Sequence, residues 1–388
     1  MRLPIAIAAS AVLTALIGTA GVATSAQAGP RADLTAVVRQ LLIARSKTTT
    51  VASPEPQVTI ASRTNRTWGF GTAVLVAPKT ADAYPEGWLF IAHRDKKGWT
   101  AALEGEPAFA TLAGKAPILS SEERRVFGVD RSRAEKSLDK RTGLRLPYAN
   151  GQAWLLTGGP HRMSNNVRSS IDLSGGDGRV LAARAGLAYT MCSSGKGWLR
   201  VIHDRGWATD YYHLSGNIKA SGKKVADGEF LGNIGNDVSC GGSSSGAHVH
   251  FSLRLNNKYF AIDGTAVGKW VIEQNNALYD GYALHGSTRA EVGEELYNYG
   301  RLGFRQGIVD TDGGGATIHR SGPGSTYAQV GSSADGETVD IMCSKRGTLH
   351  TGRNGFTTNL WSRLRDGSYL SDAFLWTGRS DPVNGWCP

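Results

Sequence analysis

The sequence predicts a mainly β protein in which a small α+β segment precedes two strand-rich modules. Glycine is abundant, at 50 of 388 residues. From about residue 145 onward, apolar residues come in short runs bounded by Gly, Ser and Asn, the pattern of strands joined by tight turns. Earlier in the chain, residues 33–46 (DLTAVVRQLLIARS) carry helical spacing instead, with Asp33 placed to cap the start. A length of 388 residues suits two or three domains. Ordinary charge content and aromatics spread along the whole chain argue for globular structure over disorder.

The first 28 residues read as an export signal. Arg2 is a short positive start, Ile5 to Ile17 an apolar core, and Ala26-Gln27-Ala28 a small-residue cleavage site. The alternative, a membrane anchor, suits a longer and less diluted apolar run. The processed protein is therefore expected to be secreted and free of the membrane, extracellular or associated with a cell wall.

Residues 29–144 follow as an α+β pro-region. "TWGFGTAVLVAP" and "GWLFIAHRDKKGWTAAL" predict strands joined by turns, and the lone His93 predicts a structural role. Residues 121–144 are charged and end in Lys140-Arg141. They read either as a solvated linker or exposed helix, or as a pro-segment junction open to a trypsin-like protease. Residues 145–285 form the larger strand-rich module, 286–305 a connector, and 306–388 a final module.

The net charge of +10 invites a nucleic-acid partner, but its distribution argues against one. Residues 1–141 hold 19 Lys+Arg against 12 Asp+Glu, a surplus of 7; subtraction from the totals of 43 and 33 leaves 24 against 21 for the rest. Most of the basicity lies in the part expected to be removed.

Export makes disulfides the natural use of the four cysteines. Cys192, Cys240, Cys343 and Cys387 allow three pairings. The domain reading favours Cys192–Cys240 and Cys343–Cys387, each worth about 3–4 kcal/mol on the chain-entropy account. No pair has the close spacing of a zinc–thiolate site.

Histidine and aspartate carry the chemistry. His248 and His250 stand two apart in "SSSGAHVHFSLR"; on a strand they share a face, roughly 7 Å apart. His161 lies in "GGPHRMSNN", Asp172 in "VRSSIDLSGG", and His213 ends "WATDYYHLSG". A catalytic zinc takes three such protein ligands and keeps one open position. From spacing alone His248 and His250 could both be ligands, which would close the sphere and make the site structural. Other motifs give less: no Gly-x-Ser-x-Gly elbow and no HExxH helix is present, and "GGSSSG" (241–246) lacks the lysine of a phosphate cradle. The simpler reading of that stretch is a flexible lip beside the site. His203, His285, His319 and His350 have no metal-site partners in the sequence.

The joint pattern His…Asp…Tyr-x-His-Leu…His-x-His-Phe, over about residues 145–275, resembles the lysostaphin-type zinc metallopeptidases that cut bacterial peptidoglycan. The offset from His161 to Asp172 is similar to the branch containing staphylolysin and beta-lytic metalloendopeptidase. The resemblance implies an antiparallel-sheet metallopeptidase domain with one zinc per chain. His161, Asp172 and His250 become its ligands, and His213 and His248 the catalytic histidines. Arg162 and Met163 are bulkier than the pattern leads one to expect beside a ligand.

Toward the C-terminus, Arg320-Ser321-Gly322-Pro323-Gly324, Tyr327, Gly336, Trp361, Tyr369 and Ser371-Asp372-Ala373 resemble a bacterial Src-homology-3-like module. A small β-barrel with a Cys343–Cys387 staple is the expectation. In wall hydrolases such modules often hold the enzyme on peptidoglycan.

The sequence reading is thus a secreted, monomeric zinc endopeptidase acting on stem or cross-bridge peptides of peptidoglycan. Two rivals stand beside it: a non-catalytic wall-binding protein with a structural metal, and an extracellular protease of Gly-rich proteins.

Overall fold

The computed structural model describes residues 30–48, 54–60, 63–81, 83–131, 139–163 and 166–388. The export signal read over residues 1–28, and the side chain of Asp33 read as a helix cap, lie outside the described residues. Among the described residues no helix is long and apolar enough to cross a membrane.

The N-terminal domain is an antiparallel sheet of four strands in sequence order: β1 (Glu55–Ile60), β2 (Trp68–Val76), β3 (Glu86–Asp95) and β4 (Gly98–Leu103). Helix α1 (Pro30–Ser46) covers one face, where Leu34, Val38 and Leu42 meet Ala73, Leu75, Trp88, Phe90 and Leu103. Strand alternation sends Phe70, Val74, Leu89, Ile91 and Ala102 to the opposite face. That face packs on α2 (Pro107–Lys115), α3 (Ser121–Phe127) and the next domain. β2 and β3 therefore have no polar side, as befits strands buried on both faces.

Where the charged stretch 121–144 is described, at 121–131 and 139–144, it is not the solvated linker its composition suggests. It opens with α3, whose capping box joins Ser120 and Glu123 reciprocally. Glu123 is buried; it accepts a hydrogen bond from Tyr189 across the domain seam and one from Arg63 of its own domain. Lys140-Arg141 is equally far from an open cleavage site. The Arg141 side chain is 1 % exposed; it pairs with Asp139 at 2.7 Å and donates to the carbonyls of Phe304 (2.8 Å) and Gln306 (3.1 Å). Lys140 donates to the Asp263 carbonyl, and Arg141 bridges to Ala266. A guanidinium satisfies its donors equally well buried or in solution, and here folded carbonyls supply the acceptors.

The central sheet has nine antiparallel strands. Its members are β5 (Ala153–Arg162), β6 (Arg168–Ser174), β8 (Gly186–Thr190), β9 (Gly197–Ile202), β10 (Trp207–Leu214), β11 (Ser221–Val225), β13 (Val249–Leu255) and two short strands, Lys258–Tyr259 and Glu295–Tyr297. The order runs β11-β8-β9-β10-β13-β6-β5 and ends on Glu295–Tyr297, with Lys258–Tyr259 beside β13. A separate pair, β7 (Arg179–Leu181) and β12 (Phe230–Asn233), packs nearby. The core beneath includes Trp154, Leu156, Ile171, Leu199, Tyr211 and Phe251.

Residues 286–305, expected as a connector, are largely built into this domain. Thr288–Glu291 pairs with Gly281–His285, and Glu295–Tyr297 forms the sheet edge beside β5. Leu296 is buried, and Tyr148 donates to its carbonyl. From Gln306 a seven-stranded β module follows with its own small core, Val309, Ile341, Leu364, Leu370 and Leu375. Disulfides join Cys192 to Cys240 and Cys343 to Cys387.

Candidate metal centre and active-site cleft

β5, β6 and β13 lie side by side and bring three candidate ligand residues to one point. His250 pairs across the sheet with Asp172, and Gly158 of β5 stands opposite Asp172 on the other side. β5 bulges between Gly158 and His161, which turns His161 inward. His161 Nε2 and His250 Nδ1 each lie 3.3 Å from Asp172 Oδ1, and 2.9 Å from one another. His161 Nδ1–H donates to the Gly159 carbonyl at 2.7 Å, so its Nε2 lone pair faces the cluster.

Electrostatics suits a cation. Asp172 Oδ1 is buried and accepts no hydrogen bond, although an orphaned carboxylate oxygen is costly to bury. Burial alone would raise this carboxyl; His161 and His250 outweigh burial and hold it well below the usual range. Burial pushes the His250 imidazole down to about 4, against the opposing pull of Asp172. Two imidazoles and a carboxylate are donors a zinc site uses, and these residues fit that metal.

His213 and His248 face the same cavity from the far side. Their rings are 4.7 Å apart, and His213 lies 6.0 Å from His250. His213 Nδ1–H donates to the Asp237 carbonyl at 2.9 Å, and His248 Nδ1–H to the Gly246 carbonyl at 2.7 Å. In both rings Nε2 is left for the cavity. His248 Nε2 comes to 3.6 Å from Asp172 Oδ1, beyond the two shorter approaches. Burial, with His250 and His248 alongside, pushes His213 down to about 3, so it is neutral at physiological pH. His213 sits at φ 66° where β10 slips register against β9, a backbone that bulky residues rarely adopt.

The cavity, about 330 Å³, is lined by all five of these residues together with Met163, Tyr212, Ser243 to Ser245 and Tyr279. Cys192–Cys240 anchors the base of the serine lip. Ala83, Tyr84 and Pro85 of the N-terminal domain complete the lining.

Comparison with known proteins supplies the family. The profile of peptidase family M23 matches residues 166–262, a span that takes in Asp172, His213, His248 and His250 and begins beyond His161. Beta-lytic metalloendopeptidase of Lysobacter enzymogenes is 31 % identical over 150 residues, covering 35 % of this chain and 83 % of that protein. The chain belongs to peptidase family M23.

Protease LasA of Pseudomonas aeruginosa is 32 % identical over 150 residues, and the match spans 35 % of each chain. The M23 chain thus aligns with about a third of LasA's length. Among solved structures, the M23 metalloprotease pseudoalterin is 31 % identical, covering 40 % of this chain and 97 % of that one at a TM-score of 0.37.

Two parts of the M23 cleft escaped sequence reasoning. Tyr279 stacks on His161 with ring centroids 4.0 Å apart, held at φ 65° in a turn. It stands outside every histidine motif, and a tyrosine in a turn announces no chemistry. The contribution of the N-terminal domain is the other. Met163 belongs to both: fully buried, it lines the cavity and packs into the domain seam, which accounts for bulk beside a ligand.

Proposed function

We propose that this M23 peptidase holds one Zn²⁺ through His161, Asp172 and His250 and hydrolyses peptide bonds of bacterial peptidoglycan, in stem or cross-bridge peptides, after export. The observation that carries the reading is the convergence of His161 Nε2, Asp172 Oδ1 and His250 Nδ1 opposite two further histidines in one cavity. When bound, Zn²⁺ supplies Lewis acidity toward a scissile carbonyl and makes water more acidic.

The chain's own groups do the rest. His213, neutral and oriented by the Asp237 carbonyl, offers Nε2 to accept a proton from water. The proton taken by His213 would pass to the leaving amine, and His248, oriented by Gly246, would meet the developing oxyanion when it carries a second proton on Nε2. Tyr279 and the serine lip wall the cleft and exclude bulk water. The β module beyond Gln306, whose sequence resembles a bacterial Src-homology-3-like module, would hold the enzyme on the wall.

Protein relieved of its N-terminal domain is incubated with isolated peptidoglycan, with and without a zinc chelator. New amino groups without new reducing sugar ends, abolished by the chelator, are the expected result. Release from elastin or casein but not from any wall would replace the substrate. No release anywhere, with zinc bound, would mean a structural site.

A further inference from the structure

The sheet of the N-terminal domain has one face for itself and one for its neighbour. α1 closes the first face. The second contributes Phe70, Val74, Leu89, Ile91, Phe109 and Phe127 to a core whose other half is Leu187, Tyr189, Met191, Trp198, Ala208 and Tyr212 of the peptidase domain. Approach is backbone-close: a Cβ on Gly87 would come within 2.8 Å of the Trp198 ring. Thr72 donates to the Met191 carbonyl at 3.0 Å, and Arg200 to the Gly87 carbonyl at 3.0 Å.

A fully buried ion-pair group also crosses this seam. Glu104 of the N-terminal domain, 2 % exposed, pairs with Arg200 at 2.8 Å and reaches Arg254 at 3.5 Å. Asp210 holds the other side of Arg200 at 2.8 Å. Without Glu104, two buried arginines are left beside one aspartate, on a face that is mostly apolar. Such a face has the character of a domain interior.

From this seam the segment after β2 extends over the cleft. Ala77 N–H donates to the Cys240 carbonyl at 3.1 Å, and Gly242 N–H to the Pro78 carbonyl at 3.0 Å, so the segment is zipped to the serine lip. Ala83, Tyr84 and Pro85 then line the cavity, and the Tyr84 and Tyr279 hydroxyls hydrogen-bond at 2.7 Å. At the other end of the domain boundary, Asp139, Lys140 and Arg141 are fastened to the peptidase domain and the C-terminal module.

We infer that the N-terminal domain is a tight-binding partner of the peptidase domain in its own right, held by the Glu104-centred seam and not by chain connection. Cutting the chain between Arg131 and Asp139 then leaves the cleft blocked, and activation requires destruction or expulsion of the domain. The inference rests on the proposed peptidase activity for its second half only; the persistence of the complex stands independently.

The test uses the full chain with a single engineered protease site between Arg131 and Asp139. After cutting, gel filtration at micromolar concentration reports association, and amine release from peptidoglycan reports activity. Expected for the nicked protein is one peak of full-chain mass, with turnover at least tenfold below that reached after a second protease digests the N-terminal fragment. Nicked Glu104→Gln should separate into two peaks on dilution to nanomolar concentration and gain activity as it does. Tyr84→Ala, a surface-loop change that keeps the seam, should co-elute as the parent does yet turn over faster. Two peaks from the nicked parent, or one peak with full activity, would overturn the inference. Co-elution with no hydrolysis by the stripped enzyme would instead remove the peptidase reading and leave the interface standing.

Discussion

A Cβ on Gly158 would stand 2.8 Å from Oδ2 of Asp172, so the β5 backbone runs directly against the carboxylate that completes the metal cluster. Only the missing side chain permits this approach. Gly158→Ala is expected to push Asp172 out of register and weaken zinc affinity about 10- to 100-fold, the size typical of lost outer-sphere support. Zinc titration of the variant against a competing chelator checks this; unchanged affinity would show that Asp172 has slack.

His248 and His250 should separate by function. His250→Ala is expected to lose both metal and turnover. His248→Ala and His213→Ala should keep near-normal zinc while kcat falls about 10²- to 10⁴-fold, the range for lost acid–base groups. Metal analysis of the three purified proteins decides between this division and a four-ligand structural site, in which His248→Ala loses zinc as well.

Trypsin should spare Lys140-Arg141 in the native protein. Both side chains are engaged, and Arg141 is buried. Native digestion followed by N-terminal sequencing should give cuts upstream of Asp139. Arg141→Ala leaves Asp139 and two carbonyls without their donor and should destabilise by about 3 kcal/mol, read as a lower midpoint in denaturant. A native product beginning at Thr142 would contradict this.

Asp372 should make the C-terminal module pH-sensitive. Burial pushes its carboxyl up to about 7, against the opposing charge of Arg353. One of its oxygens is buried without a hydrogen bond. A carboxyl raised in the folded state favours folding below its unfolded value, near 4, and that contribution is lost as pH rises through about 7. The thermal midpoint should therefore fall between pH 5 and pH 8. Asp372→Asn, always neutral, should flatten the dependence and be relatively more stable at pH 8. Parallel slopes for the two proteins would refute this.

The cluster was legible because metal-site residues are few in kind and strands impose a period. His161, Asp172, His213, His248 and His250 surround one cavity, as their local motifs anticipate. Two features of that cluster were not legible. The inward turn of His161 toward Asp172 depends on a bulge in β5, and the left-handed backbone of His213 goes with a register slip in β10. The seam between domains had a signal that went unread: "WGFGTAVLV" and "GWLFIA" have no polar face, and a strand without one is covered twice. The burial of Arg141 had none, since a dibasic pair looks the same whether its acceptors are water or carbonyls 120 residues and more down the chain.

The two-sided sheet of the N-terminal domain has a consequence for synthesis. Phe70, Leu89 and Ile91 emerge early, and the residues that cover them, Met191 to Tyr212, are made later. The nascent chain therefore displays half of an unfinished interior while its complement is still being translated. Long-range pairing of this kind folds slowly and invites association with neighbouring chains. A polypeptide built this way is suited to travel unfolded and to assemble only when its whole length is present.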